Sequence, residues 1–240
     1  MPSKRQEVQK VHMIAIKNSK LRGVLKIIIP FLAIPLLVIL GALVFDANKY
    51  LLVSLGVAVL AIILFIAGFE KKTTGTRRMV IVAVMTALCI AGRFIPLFKP
   101  ITALTIITAI YLGGESGFLV GAMAALLSNF YFGQGPWTPF QMLSWGLIGL
   151  IAGYLATPIK KSKIFMCVFA LLSGVAFSFI MDIWTVLWYS GSFHAGLYLS
   201  AITTAIPHTV LYAVSNLIFI LFLSKPFGEK LERIKIKYGV

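Results

Sequence analysis

GFLVGAMAALLSNFYFGQGPWTPFQMLSWGLIGLIAGYLAT, residues 117–157, places a shaped loop between two apolar runs. The middle of this segment, Ser128–Trp145, contains two Gly, two Pro, two Gln, one Asn and two Trp, whereas connections between apolar spans are usually short and charged. It has no Asp, Glu, His, Cys or Lys, so it offers few groups to a reaction and more to a ligand. The segment therefore favours binding or transport over catalysis.

The chain as a whole has the composition of a membrane protein. Its 240 residues are 60% hydrophobic and only 12% charged, whereas soluble globular chains carry about 25% charged residues. Several apolar runs reach the roughly 20 residues that a helix needs to cross a bilayer. Since backbone groups within lipid need internal hydrogen-bond partners, such spans are helices. We therefore predict an all-α integral membrane protein.

The apolar runs predict eight spans. The fourth is short for a bilayer, so it must be tilted, broken or shielded by its neighbours. Pro30 and Pro35 predict kinks in the first span. The predicted spans are 27–45, 50–69, 79–97, 101–113, 117–132, 140–157, 164–189 and 197–224.

The distribution of basic residues predicts the orientation of the chain. Of the 22 Lys and Arg residues, 19 lie in four clusters, at residues 4–26, 71–78, 160–163 and 225–237. Threading the chain back and forth places all four clusters on one side, which the positive-inside rule assigns to the cytoplasm. Both termini are therefore predicted to be cytoplasmic. The formal net charge of +15 reflects this topology and does not indicate a nucleic-acid partner.

A change in composition near residue 70 divides the chain. The first two spans have almost no polar residue in their interiors, whereas polar residues at membrane depth begin with Arg93. We predict a basic cytoplasmic segment at 1–26, an N-terminal transmembrane hairpin at 27–69, a functional six-helix membrane domain at 77–224 and a basic cytoplasmic tail at 225–240.

Sequence motifs for common enzyme chemistry are missing. The chain has no G-x-x-x-x-G-K-[ST] phosphate loop, no H-E-x-x-H and no G-x-S-x-G. Cys89 and Cys167 lie in apolar spans without ligand-like spacing, so they predict no metal site. We therefore expect neither catalytic residues nor a cofactor in this chain.

Arg93 and Asp182 are charged residues at membrane depth, each near the same end of its span. Such residues are costly in lipid and face a cavity or each other. They could contribute to a ligand site at the outer end, or form an ion pair that clamps two helices. His208 adds a further alternative, an intramembrane enzyme that uses Asp182 and His208, although a hydrogen-bonded helix contact explains this histidine as well.

Aromatic and amide side chains gather at the predicted outer face. Aromatic surface with a few directed polar groups is typical of ligand pockets, and amides both donate and accept hydrogen bonds. Trp and Tyr also anchor helices at the membrane interface, and this alternative stays open. The candidate ligand-binding residues are Arg93, Asn129, Tyr131, Gln134, Trp137, Thr138, Gln141, Trp145, Asp182 and Trp188.

Small residues form a stripe along one face of the third predicted span. Ala83, Ala87 and Ala91 recur at every fourth position, and small residues on one face let helices approach closely. The stripe is a candidate protein-contact surface, although ordinary internal packing would use the same pattern.

Three segments resemble the substrate-binding S components of energy-coupling factor (ECF) vitamin transporters. They are RRMVIVAVMTALCIAGR at 77–93, SNFYFGQGPWTPFQMLSWGLIGLIAG at 128–153 and FSFIMDIWTV at 177–186. The resemblance covers about residues 77–224 and six helices. The two N-terminal helices are an addition to the usual six-helix pattern.

The resemblance implies a multi-pass subunit of a bacterial plasma membrane that captures a vitamin from outside. Its partners would be a membrane coupling subunit, contacted through Ala83, Ala87 and Ala91, and two cytosolic ATPases that use ATP and Mg²⁺. The subgroup most similar to this chain is the one for cobalamin, so cobalamin or a related corrinoid is the expected cargo. A riboflavin-, folate- or queuosine-like micronutrient is the alternative. A structural subunit whose loop docks an extracellular protein is a third hypothesis.

Overall fold

Helices and short connections make up the part of the chain that the structure describes. This computed structural model describes residues 16, 18–44, 49–68 and 72–238, without the side chains of 72–76, and contains no strand within these ranges. The predicted connection at 46–49 and the predicted segment at 1–26 lie largely outside them. The helices are α1 (Ser19–Ile28), α2 (Ile34–Val44), α3 (Tyr50–Ala67), α4 (Lys72–Gly92), α5 (Ile101–Leu112), α6 (Gly114–Phe132), α7 (Thr138–Tyr154), α8 (Ala156–Lys161), α9 (Lys163–Ser190) and α10 (Ala195–Tyr238).

Each of the eight predicted spans overlaps a helix, although the third, predicted at 79–97, corresponds to α4 at Lys72–Gly92. Four of the described helices are long and apolar enough to cross a membrane. These four are Ser19–Val44, Tyr50–Ala67, Lys163–Ser190 and Ala195–Tyr238. The chain is therefore a multi-pass, all-α membrane protein, as the composition predicted.

The first span is one continuous helix with a local irregularity. Asn18 caps its start, since its side-chain oxygen accepts hydrogen bonds from the backbone N–H groups of Lys20 and Leu21. A π-helical turn at Ile29–Ala33 joins α1 to α2. The turn contains Pro30, which lacks a backbone N–H and cannot continue the regular hydrogen-bond ladder.

The short α5 lies in the middle of the bundle. All its residues except Tyr111 are buried, because α4, α6, α7 and α10 pack around it. Its neighbours therefore shield a helix that is too short to cross a bilayer alone.

Glycines bring α6 and α7 into close contact. A Cβ at Gly149 would lie 2.5 Å from the backbone carbonyl carbon of Gly117, and a Cβ at Gly117 would lie 3.0 Å from the carbonyl oxygen of Gly149. Small residues at such crossings allow the backbones to approach. This close packing fixes the relative position of the two helices that flank the loop at 133–137.

The N-terminal hairpin, defined as α1–α3 with its π-helical turn, packs on the outside of this pair. α3 contacts α6 and α7, and α2 contacts α7 and α9. At the other end of the hairpin, Lys26 Nζ lies 2.8 Å from a carboxylate oxygen of the buried Glu115. The hairpin is therefore joined to the rest of the bundle along most of its length.

The last helix differs from the sequence prediction. The last span was predicted to end at residue 224, before a basic cytoplasmic tail at 225–240, but α10 continues through Pro226 to Tyr238. Gly228 packs against Tyr111 of α5 and Leu231 is buried. These contacts hold the extension on the bundle. They could not be predicted from the sequence because the segment has the charged composition of a solvated tail.

Candidate functional site

Three connections meet at one end of the bundle, which we call the loop end. They are residues 93–100, 133–137 and 191–194. Hydrogen bonds from Arg93 to Asn129 and from Asn129 to Thr138 link the first two connections. An edge-to-face contact between the rings of Trp137 and Trp184, 5.9 Å between centroids, links the second connection to α9.

Arg93 follows directly after α4 and occupies the centre of this end. Its Nη1 donates hydrogen bonds to Ser128 Oγ and to Asn129 Oδ1, the latter at 2.8 Å. Its guanidinium carbon lies 4.9 Å from the ring centroid of Phe132 and 5.6 Å from that of Trp145. No carboxylate among the described residues contacts it. Neutral side chains and aromatic faces therefore stabilise its positive charge.

Arg93 and Asp182 therefore form no ion pair. The partners of Arg93 come from α6 and α7, whereas Asp182 lies on α9 and faces the cavity between α9 and α10. The alternative of a clamp between two helices is wrong, because the rotation of α9 turns the carboxylate away from the guanidinium.

Asn129 connects the loop to the start of α7. Its Nδ2 donates to Thr138 Oγ1 at 2.9 Å and to Gln141 Oε1 at 2.8 Å. Thr138 in turn donates to Gln134 Oε1, and Gln134 Nε2 donates to the Leu126 carbonyl. These bonds define the shape of the loop. Gln141 accepts with its oxygen, so its N–H donors remain available to a ligand.

Trp145 forms the floor below these polar groups. Its ring is buried, its Nε1 donates to Thr102 Oγ1 at 3.1 Å, and it stacks on Phe177 with 4.7 Å between ring centroids. Tyr212 continues the aromatic contact on the other side of Phe177. Trp145 thus joins α5, α7 and α9 and gives the polar cluster a rigid base.

The remaining aromatic candidates lie at the rim. Tyr131 is 72% exposed and contacts Phe94. Trp188 is half exposed and stacks on Trp184, with 6.2 Å between centroids. Both tryptophans, with Pro136, border a cavity of about 220 Å³ that the N-terminal hairpin closes from the outside.

Asp182 and His208 line a second cavity, of about 470 Å³, between α9 and α10. Asp182 is only 7% exposed, and its Oδ2 has no hydrogen-bond partner among the described residues. No hydrogen bond joins Asp182 to His208 in this part of the chain. The contact that the intramembrane-enzyme hypothesis requires is therefore not formed.

The alanine stripe lies on the surface of the bundle. Ala83, Ala87 and Ala91 are exposed on α4. Val80, Val84 and Leu88 are exposed beside them. The stripe is therefore available to a partner helix or to lipid and is not packed against the described residues of this chain.

Sequence reasoning missed Lys99 and Ser215. The backbone N–H of Lys99 donates to Ser215 Oγ at 2.8 Å, and Ser215 Oγ donates back to the Lys99 carbonyl at 3.2 Å. Lys99 Nζ donates to the Arg93 and Ile95 carbonyls, each at 2.6 Å. The sequence offered one indication for Lys99, which is that it lies outside the four basic clusters. A cation away from the predicted cytoplasmic side indicates a specific structural or functional role.

These features define a class of protein, an all-helical membrane protein with a polar and aromatic site at one end of its bundle. The family model described as "ECF-type riboflavin transporter, S component" matches residues 73–232. The chain belongs to this family and is therefore a substrate-binding transport subunit that associates with other ECF transporter subunits. Comparison with curated proteins and with solved structures gives no match.

Proposed function

We propose that this S component captures a flavin, with riboflavin as the cargo, at a loop end that faces outward. The family description names a riboflavin transporter, which supports this cargo. The observation that carries the proposal is the donor-rich cluster around Arg93. Arg93 has no described carboxylate partner, and Gln141 keeps two N–H donors available.

A flavin ring suits this cluster. Its two carbonyl oxygens and its two unprotonated ring nitrogens accept hydrogen bonds, the N–H between the carbonyls donates one, and its faces are flat and aromatic. Guanidinium and amide donors fit these acceptors, and the rings of Trp145 and Phe132 beside Arg93 supply aromatic surface. A neutral ligand with carbonyl acceptors would also partner the Arg93 charge without requiring an acidic side chain.

Cobalamin is the second candidate cargo. The amide and aromatic residues that led us to expect it also line the loop end, and peripheral amides on a ligand would pair with them. A corrin with its nucleotide loop is much larger than a three-ring flavin, however. The family description, which names riboflavin, also supports the smaller ligand.

Transport would depend on other chains. We propose that Ala83, Ala87 and Ala91 contact a membrane coupling subunit, and that two cytosolic ATPases supply energy by Mg²⁺-dependent hydrolysis of ATP. The basic clusters would then face the cytoplasm of a bacterial cell, with the site open to the outside of its plasma membrane.

A substitution at Arg93 tests the proposed site. We expect Arg93→Gln to weaken riboflavin binding by at least about tenfold, because charge-assisted hydrogen bonds are roughly twice as strong as neutral ones. Isothermal titration of the purified variant measures the loss. Lys161→Gln is the control, since it removes one exposed charge at the opposite end of the bundle.

The same titrations separate the alternatives. Cobalamin bound tightly and riboflavin not at all would replace the cargo but keep the capture function. Riboflavin affinity that is equal in Arg93→Gln and the wild-type protein would place the site elsewhere. Loss of complex assembly without any loss of vitamin binding, after substitution of Trp137 or Trp145, would favour a docking subunit.

A further inference from the structure

The cavity between the N-terminal hairpin and the bundle is separate from the Arg93 cluster. Its walls are α2 and α3 on one side and the loop-end parts of α7 and α9 on the other, and its volume is about 220 Å³. None of the side chains that contact Arg93 lines it, and its described lining residues include no charged one. The cavity is therefore a candidate site for a ligand other than the vitamin.

The walls of this cavity are mostly apolar. Residues such as Val38 of the hairpin and Leu187 of α9 supply hydrocarbon surface. Among the described lining residues, the side chains that carry a polar atom are those of Tyr50, Trp184 and Trp188. An indole N–H can donate a hydrogen bond but cannot accept one. The lining therefore fits an apolar ligand that carries a hydrogen-bond acceptor.

The indole nitrogen of Trp184 gives the strongest indication of such an acceptor. Its Nε1 is buried and has no hydrogen-bond partner among the residues that the structure describes. A buried Trp N–H usually has a partner, because burial of a donor without one is unfavourable. A mostly apolar cavity offers little to water. Since Trp184 lines the cavity, an acceptor on an apolar ligand would satisfy this donor.

The depth of Trp184 in the membrane indicates which acceptor is available. α9 has 28 residues and is therefore about 42 Å long, which matches the thickness of a bilayer with its headgroups. Trp184 lies six residues before the end of this helix at Ser190, or about 9 Å along its axis. That depth is close to the boundary between headgroups and hydrocarbon, where phospholipids carry their ester carbonyls.

The hairpin brings this cavity next to the lipid. Leu36, Leu40 and Leu43 of α2 are exposed, whereas Val38 and Gly41 of the same helix are buried and line the cavity. One face of α2 therefore contacts lipid chains, and the opposite face borders the cavity. A lipid chain at this level needs only to pass beside α2 to reach it.

We propose that the cavity holds one acyl chain of a phospholipid from the leaflet at the loop end, whose ester carbonyl accepts a hydrogen bond from Trp184 Nε1. The chain fills the space between α2 and α9, and the ester satisfies the buried donor. The lipid thereby completes the packing of the hairpin at the loop end, as the contact of Lys26 with Glu115 does at the opposite end. This site does not depend on which vitamin the protein carries.

Two phosphatidylglycerols with the same chains test the role of the ester carbonyl. One has ester-linked chains, and the other has ether-linked chains without carbonyl oxygens. Native mass spectrometry of the purified protein with an equimolar mixture measures which lipid stays bound. We expect the wild-type protein to prefer the ester lipid by a few-fold, the value of one neutral hydrogen bond. Trp184→Phe, which removes the donor but keeps an aromatic ring, should bind the two lipids equally.

Trp137→Phe is the control for this variant. It also removes an indole N–H, but Trp137 is not a lining residue of the cavity. We expect it to keep the wild-type preference for the ester lipid. Loss of the preference in both variants would contradict a specific role of Trp184 Nε1.

A pair of alanine positions tests whether the lipid occupies the cavity. Ala42 of α2 lines it, so Ala42→Leu fills part of the space and should reduce bound ester lipid by at least about threefold, because overpacking is unfavourable. Ala176→Leu adds the same bulk at an exposed position of α9 outside the lining and should retain the lipid. This pair remains informative if Trp184→Phe folds poorly.

The remaining outcomes are equally decisive. Equal binding of the ester and ether lipids by the wild-type protein, or an ester preference that persists in Trp184→Phe, would overturn the proposed hydrogen bond. Full retention of lipid by Ala42→Leu would overturn the proposed cavity site. Displacement of the lipid by riboflavin would assign the cavity to the cargo instead, and would leave the capture of riboflavin intact.

Discussion

Arg93 is stabilised by an unusual set of neutral partners. A cation removed from water requires compensation, and here two side-chain acceptors on α6 and two aromatic faces provide it. Charge–aromatic contacts contribute about 0.5–2 kcal/mol each, more when desolvated. The absence of an acidic partner in the described part of the chain leaves this cation able to interact with a ligand.

The close contact between α6 and α7 depends on the absence of a side chain at Gly149. A Cβ there would lie 2.5 Å from the carbonyl carbon of Gly117, which is backbone and cannot rotate away. We predict that Gly149→Ala lowers the free energy of unfolding by about 1–3 kcal/mol, the usual cost of overpacking. Thermal unfolding in detergent, followed by circular dichroism, measures the effect.

Gly23→Ala is the control for this prediction. Gly23 also lies in a helix, but nothing is within 4 Å of the position of its added Cβ. Alanine is the better helix former by roughly 0.5–1 kcal/mol, so this variant should be as stable as the wild-type protein or slightly more so. Equal unfolding temperatures for the two variants would contradict the close packing of α6 on α7.

Among the helices, those of the N-terminal hairpin lie outside the residues that match the family, 73–232. The hairpin nevertheless packs on α6, α7 and α9 and closes the cavity beside Trp184 and Trp188. The buried face of α3 follows the helical period, with Val53, Val57, Ala61 and Leu64 directed inward. The hairpin is therefore a structural part of this membrane protein.

Substitutions of Leu64 and Leu55 on α3 test whether the N-terminal hairpin is packed on the bundle. Leu64 is 0% exposed and Leu55 is 49% exposed. We predict that Leu64→Ala destabilises the protein by about 2 kcal/mol or more, because the cavity it leaves loses packing contacts. Leu55→Ala should have little effect, since detergent or lipid fills the space. Unfolding temperatures in detergent give the comparison, and equal values would mean that the hairpin is not docked.

The exposed stripe on α4 permits a prediction about transport. Ala87→Leu places a bulky side chain in the middle of the stripe, so it should block the approach of a coupling helix. We predict unchanged riboflavin affinity of the purified protein and uptake reduced severalfold in cells that contain the partner subunits. Ala176→Leu, at an exposed position of α9, controls for the added bulk. Normal uptake by Ala87→Leu would argue against this contact surface.

For the molecule as a whole, apolar runs predicted the helices because a membrane span must satisfy its backbone internally. The predicted spans 50–69 and 164–189 agree closely with α3 and α9. The extension of α10 could not be predicted, because the seven charged residues at 225–237 are typical of a solvated segment. The contacts of Gly228 with Tyr111 and of Lys160 with Glu232 depend on tertiary packing that periodicity does not reveal.

The candidate site was predictable in part. Arg93 could be nominated because a charged residue at membrane depth is energetically costly. Asn129 and Gln141 could be nominated because amides beside aromatic residues are typical of ligand pockets. Which of them meet could not be deduced, since the rotation of each helix about its axis decides the partners. Asp182 illustrates this. Asp182 and Arg93 were both predicted near the outer ends of their spans, but Asp182 faces the cavity between α9 and α10.

Calorimetric titration of the purified, folded protein with riboflavin, without ATP or partner subunits and with cobalamin as the comparison, decides whether the loop end captures a flavin. We predict saturable, one-to-one binding of riboflavin that is tighter than any binding of cobalamin. Binding of cobalamin alone would contradict the proposed cargo. Binding of neither vitamin would contradict the assignment of the loop end as a flavin site.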